Sequence, residues 1–438
     1  MEKYCIDISN VVNYNKDNEF VSGKNLTNFI KEREKKIMVE QQKQEKAVNG
    51  SVQETKPVKT EEVKATSSRN SENVVFYADY HQVNPLDHTD YNDFIHNPDV
   101  PQKLDGFDPK YKDIIDYILR ITHEIWEERG IGVIFDTYHN STIAHSCSGT
   151  STGVLPVIAG TLSHLHAFPN RKIVAENVVW SEDEPGYFFT SHRSMNSATN
   201  LGDSNFGPAT GKKITFRSVA DCAIHKNRIY EEWLVRDNLW VVKQLGLDPY
   251  AVAREMAKTS VSKGSPALKG PFGLNESVDG QFYPERYKAK DDSIGEMMLE
   301  MYHNIYQCKM LNEVTKFYSK NAKVHFICEK ELCGREEIQG TLISLLASFP
   351  NALHTVERVT CNNSPESGVW DVALRWRLRG LHEGIGMFGN PTGKYVEIMG
   401  INHYRIQNGK IQESWIMFDG LDVLKQIVQE EEAPADAE

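Results

Sequence analysis

Apolar residues fall at helical spacing in KYKDIIDYILRITHEIWEERG, where Ile114, Ile118, Ile121 and Ile125 share one face and Gly130 supplies a stop. DDSIGEMMLEMYHNIYQCKM repeats the pattern, with Asp292 as the expected N-cap and Met298, Met301, Tyr302 and Ile305 on one side. Farther on the period changes. GVWDVALRWRLRG, KYVEIMGINHYRI and KIQESWIMFD read as strands, with alternation clearest in ALRWRLR and turns at GNPTGK and QNGK. Helices first and an antiparallel meander last predict an α+β fold, a curved sheet wrapped around helices.

The pattern occurs twice. NRIYEEWLVRDNLWVVKQLG is answered by GKIQESWIMFDGLDVLKQIV, and Thr210–Leu245 aligns with Thr392–Ile427 without a gap at 12 identities in 36 positions. GTLSHLHAFPN answers GTLISLLASFPN, and His123, Tyr138 and His145 pair with His303, Tyr318 and His325. A repeat this long predicts two copies of one domain. The expected division is a low-complexity tail over 1–75, a transition segment over 76–108 and a first domain over 109–258. A Gly/Pro/Ser-rich linker over 259–289, a second domain over 290–429 and an acidic tail over 430–438 complete it. The Lys/Glu/Gln/Ser-rich stretch from Lys31 to Asn73 has no aromatic residue and is expected to be disordered.

A net charge of −12 argues against general nucleic-acid binding, which needs a basic face. No apolar run reaches the roughly 18 residues that span a bilayer, and MEKYCIDISN lacks the order of a secretion signal, so a cytoplasmic protein away from membranes is expected. The seven cysteines are scattered, with CEKELC the one close pair, and neither they nor the histidines show zinc spacing. Phosphate-loop, dinucleotide, HExxH and GxSxG motifs are absent from the sequence. This composition calls for no cofactor and no metal.

From Phe349-Pro350-Asn351 through Gly380, His382, Phe388-Gly389, Pro391-Thr392-Gly393, Gly409-Lys410-Ile411, Glu413, Trp415, Asp419 and Gln426, the second copy resembles the SnoaL-like polyketide cyclase family. That resemblance, over most of 290–428, implies the cone-shaped α+β barrel of the nuclear transport factor two-like superfamily, here as two tandem domains. The first copy is similar over about 110–248, with roughly eight extra residues expected between His192 and Phe206. In this family the Asp of the last strand is the general acid/base, which the resemblance carries to Asp419 and Asp237. Both aspartates also stand where a helix N-cap is expected.

On an extended strand Glu413, Trp415, Met417 and Asp419 share a side, as do Glu231, Trp233, Val235 and Asp237. If that side is concave, Trp415, Glu413 and Trp233 line the cavity. His325 and His145 on the first strand and His382 at a Gly-rich turn are further catalytic candidates. His403, Asp221 and His192 are further substrate contacts. Arg375, Arg377 and Arg379 read as a solvated or inter-domain face. The expected function is cofactor-independent acid/base chemistry (cyclase, isomerase, hydratase or hydrolase) on a small, largely apolar molecule, with the second copy the expected site. The competing reading is a non-catalytic small-molecule-binding or scaffolding protein. An intramolecular pseudo-dimer through the sheets is expected, compatible with a further homodimer of the whole chain.

Overall fold

The structure is a computed structural model that describes residues 74–83, 102–147, 149–262, 284–364 and 367–429. The expectations for the N-terminal tail, the centre of the linker and the acidic tail lie outside the described residues.

The chain enters as β1 (Val75–Asp79). The first copy then runs α1 (Ile114–Trp126), α2 (Val133–Thr137), β2 (Tyr138–Ser146), β3 (Gly149–Thr152) and α3 (Val154–Ala167). It continues with β4 (Lys172–Glu184), β5 (Tyr187–Thr199), β6 (Lys213–His225), β7 (Arg228–Arg236) and α4 (Asn238–Gln244). After α5 (Pro249–Ser262) the order repeats: α6 (Ile294–Tyr302), α7 (Val314–Phe317), β8 (Tyr318–Phe326), β9 (Lys330–Cys333) and α8 (Arg335–Ser348). β10 (Leu353–Ser364), β11 (Val369–Leu381), β12 (Tyr395–Gln407), β13 (Lys410–Phe418) and α9 (Gly420–Val428) complete it.

The isoleucines of α1 are all buried, and Asp113 caps the helix by accepting from Asp116 N at 2.8 Å. Each such side chain contributes about 1.5–3 kcal/mol on burial. The equivalent helix α6 is capped by Ser293, not by the expected Asp292, because the Ser293 hydroxyl accepts from Glu296 N. Hairpin turns form where the backbone can enter the left-handed region: Asn408 and Gly409 have φ of 53° and 65°.

Two open sheets result, ordered β3-β2-β7-β6-β5-β4 and β1-β10-β11-β12-β13-β8-β9. Neither closes into a barrel. They are mixed rather than wholly antiparallel, since β2 pairs with β7, β8 with β13 and β1 with β10 in parallel. The last pairing was not anticipated: a strand that precedes the first copy extends the sheet of the second.

The extra residues expected in the first copy are not there. β5 and β11 are both 13 residues long. Ser204 bridges Gly207 as Gly386 bridges Gly389, positions again 182 apart. The counterpart of His382 is therefore Asn200, not His192.

The sheets meet through their outer faces. Val219, Val235, Ile401 and Met417 form an apolar cluster between them. The Arg375 guanidinium bonds Asp221 at 2.7 Å and lies 3.6 Å over the Trp233 ring, while Arg193 lies 3.4 Å over Trp415. Of the three alternating arginines, Arg375 thus faces the other sheet, and Arg377 and Arg379 pair with Glu397 beside it.

Candidate active site

Contact between the sheets takes up much of their outer faces and leaves the inner faces to line a cavity. In the first copy those faces carry His192, Ser194 and Asn196 on β5, Ser218, Ala220 and Cys222 on β6, and Glu232, Leu234 and Arg236 on β7. With α1 and α3 they line a half-open cavity of about 210 Å³. Its apolar wall comes from Ile118, Ile121, Ile125, Ile134 and the Trp126 ring.

Glu232 is surrounded by protein yet keeps part of its surface open to the cavity. The Tyr138 hydroxyl donates to its Oε1 at 3.2 Å. Burial raises its pKa above the usual carboxylate value, with Arg236 and the Tyr138 hydrogen bond working the other way. His164 Nε2 accepts from Arg236 Nη1 at 3.0 Å, and burial, then Arg236, hold the imidazole well below its ordinary pKa and hence neutral. His192 is likewise neutral, lowered to about 4 by burial and then Arg193. Arg171 donates from Nε and Nη2 to Asn196 Oδ1 at 3.0 and 2.6 Å and stacks 4.2 Å from the Trp126 centroid. Arg171 Nη1, Arg236 Nε and His192 Nε2 are buried with no hydrogen-bond partner among the described residues.

The second copy has the same scaffold and a different interior. Ser194 faces Ser218 across the β5–β6 pair; at the same register Trp376 faces Gly400. The indole occupies the space a Cβ on Gly400 would need, 2.1 Å away, and donates to Asn402 at 2.9 Å. At the fixed offset of 182, Cys222 becomes Tyr404, Glu232 becomes Ser414 and Arg236 becomes Phe418. Tyr302, Tyr306, Tyr318, Trp376, Tyr404 and Phe418 are all fully buried and fill this core. A groove of about 900 Å³ remains at its rim, between Phe326, Leu332, Thr341 and Leu239 of α4, but its Lys243, Lys330, Glu331 and Glu337 are exposed.

The candidates read from the sequence are placed as follows. Trp415, Glu413 and Trp233 line neither the cavity of the first copy nor the groove of the second. They lie on the outer faces, because the acid that shares the inner face of β7 is Glu232 and its neighbour Glu231 points the other way. His145 Nε2 bonds Glu231 and stacks on Trp233, and His325 Nε2 bonds Glu413 and stacks on Trp415, each pair at 2.8 Å. Asp221 and His403 are buried between the sheets, the first on Arg375 and the second on the Ser191 hydroxyl at 2.8 Å. His382 is buried against Phe349, 3.2 Å from Thr392 Oγ1. Of the predicted contacts, His192 lines the cavity.

Asp237 and Asp419 are helix N-caps. Asp237 accepts from Trp240 N at 3.2 Å, Asp419 from Leu421 N at 3.0 Å. Each also reaches the other copy: Asp237 accepts from Cys328 N and Asp419 from Asn238 Nδ2, both at 2.5 Å. Asp419 borders a cleft of about 250 Å³ between the copies that shares Ser146 and Leu234 with the cavity wall.

Sequence reasoning missed Glu232, Arg171, Arg236, His164, Tyr138 and Trp126 as one set. A usable signal lay in the repeat itself, at inner-face positions that are polar or small in one copy and aromatic in the other. Among the described residues no cluster of His, Cys, Asp and Glu has the geometry of a metal site, and no helix is long and apolar enough to cross a membrane.

No curated protein matches the chain. Among solved structures, a SnoaL-like protein of Jannaschia sp. CCS1 shares 19% identity over 31% of this chain and 92% of its own, with a TM-score of 0.28. IdmH from Streptomyces antibioticus shares 23% over 30% of this chain and 96% of its own, TM-score 0.26. A SnoaL-like polyketide cyclase from Agrobacterium tumefaciens shares 15% over 30% and 96%, TM-score 0.26. Residues 296–427, the copy with the filled interior, match the SnoaL-like polyketide cyclase family.

Proposed function

We propose that the chain is a cofactor-independent acid/base enzyme and that its reaction runs in the first copy, with Glu232 carrying the proton. The observation that carries this reading is a carboxyl in a protein-surrounded chamber with one apolar side, with one oxygen held by Tyr138 and its pKa raised by burial. Such a group is a competent base at neutral pH and a competent acid once it has taken the proton. Asp419 is a weaker choice, since helix N–H groups hold one of its oxygens and Asn238 the other.

In the proposed step Glu232 removes a proton from a carbon next to a carbonyl. The C–H electron pair moves toward the carbonyl oxygen, where charge grows. Arg236 and Arg171 line the same chamber, and the field of their guanidinium groups offsets that charge. Return of the proton at another carbon completes an isomerisation. Attack of the enolate carbon on a second carbonyl, with the proton going to the new alkoxide, completes a ring closure. The filled core of the second copy favours a companion reading for that half alone: it is a scaffold whose sheet braces the first.

The test incubates the protein with a metabolite extract in deuterated water and follows masses with time. A mass converted or labelled by the wild type and spared by Glu232→Gln supports the proposal. Equal conversion by both proteins, or conversion lost in Asp419→Asn instead, refutes it.

A further inference from the structure

Resting on the reading of the first copy as the reactive one, the geometry points to its substrate class: a small organic acid of single-ring size, its carboxylate held between Arg171 and Arg236. Two cations close off one part of the chamber, both against the face of Trp126, at 4.2 and 5.9 Å from the ring centroid. Glu232 is the one carboxylate on the wall, and His164 and His192 are neutral. The walls therefore hold one positive charge in excess even with Glu232 ionised. Beyond the walls, Glu127 acts on Arg171, while Cys147 and Asp419 act on Arg236. Glu127 is already engaged by Lys172 and the backbone N–H of Ile173, and Asp419 by Asn238 and its own helix.

Arg171 Nη1 and Arg236 Nε are buried donors with no partner among the described residues, and donors of this kind cost about 1–3 kcal/mol each, more when charged. A carboxylate suits two guanidinium edges, because each of its oxygens can accept from one of them. The side formed by Ile118, Ile121, Ile125, Ile134 and Trp126 is apolar and suits a hydrocarbon ring, while His192, Ser194 and Ser218 on the strands opposite offer polar contacts. Size sets the other limit. A cavity of about 150 Å³ holds benzene, so about 210 Å³ accommodates one ring plus a carboxylate.

Benzoate serves as the probe, with benzyl alcohol as its uncharged match, both titrated calorimetrically into the full chain. Benzoate is expected to bind one per chain and benzyl alcohol at least tenfold more weakly. Arg171→Gln and Arg236→Gln are each expected to weaken benzoate tenfold or more, while Glu232→Gln, which removes the opposing charge, binds it at least as tightly as wild type. Failure of benzoate to bind, equal binding of benzyl alcohol, or affinity untouched by both arginine variants would overturn the inference. The comparison of the two probes needs wild type alone, so it stands even if an arginine variant does not fold. If benzoate binds Glu232→Gln normally but the deuterium labelling is unaffected by that variant, the acid site survives and the proton-transfer reading falls.

Discussion

Replacing Asp419 by Asn tests how the two copies are joined. The carboxyl is 5% exposed; its Oδ1 accepts from Leu421 N and Asp422 N, and its Oδ2 from Asn238 of the other copy. Burial, then the neighbouring Asp422, raises its pKa from 3.8 to about 6 despite these hydrogen bonds. The folded value is above the unfolded one, so the native state binds the proton more tightly. Its contribution to stability is complete below the unfolded pKa and declines as pH rises from about 4 to about 6, levelling off above that. A shift of about two units corresponds to about 3 kcal/mol. Asn is isosteric and does not titrate. It keeps the cap through its oxygen, and Asn238 can turn its own amide oxygen toward the new NH2. The variant is therefore expected to match wild type within about 1 kcal/mol at pH 4 and to exceed it by about 2–3 kcal/mol at pH 7.5. Removing the charge also relieves Asp237, whose pKa of about 7 is raised by burial first and in part by Asp419. Urea unfolding of both proteins, followed by tryptophan fluorescence at half-unit steps from pH 4 to 8, reads the difference directly. Parallel curves, or a variant weaker at every pH, would refute the reasoning.

Gly400→Ala drives a methyl into the Trp376 indole and is expected to destabilise by about 1–3 kcal/mol, whereas Ser218→Ala, at the equivalent position of the open copy, loses hydrogen bonds worth about 1 kcal/mol. Equal unfolding midpoints for the two variants would mean that the interiors do not differ as described. Arg375→Met strands the buried Asp221 carboxylate and is expected to cost about 3–5 kcal/mol at neutral pH, most of it recovered in the double variant Arg375→Met, Asp221→Leu. A double-mutant cycle in urea checks this, and a purely additive result would contradict the pairing. Glu232→Gln and the benzoate series complete the tests of the cavity.

Much of the architecture was legible because it is written in local chemistry. The isoleucine stripe of α1, the left-handed turn at Asn408 and Gly409, and the aspartate caps of α4 and α9 depend on residues a few positions apart. The Ser293 cap was misread because Asp292 is an equally good capping residue one position away, and the start of the helical pattern does not separate them. β1 was missed because its pairing partner, β10, lies nearly three hundred residues downstream and no short-range pattern reports such a contact. The supposed insertion arose from aligning His192 with His382; the strand lengths and the Ser204–Gly207 and Gly386–Gly389 bridges restore the constant offset.

The sequence by itself determined that one α+β unit occurs twice, since a gapless run of matched turn, cap and core positions constrains the backbone of both copies alike. It did not determine which side of each strand faces inward. Alternation reveals orientation when one face meets water, but here helices cover the inner face of each sheet and the other sheet covers the outer one. Glu231 and Glu232 are therefore equivalent in the pattern and opposite in the molecule. Only the packing of sheet on sheet directs Trp233 and Trp415 to the junction and Glu232 and Arg236 to the cavity, and only the bulk of Trp376 over Gly400 leaves one copy filled and the other open.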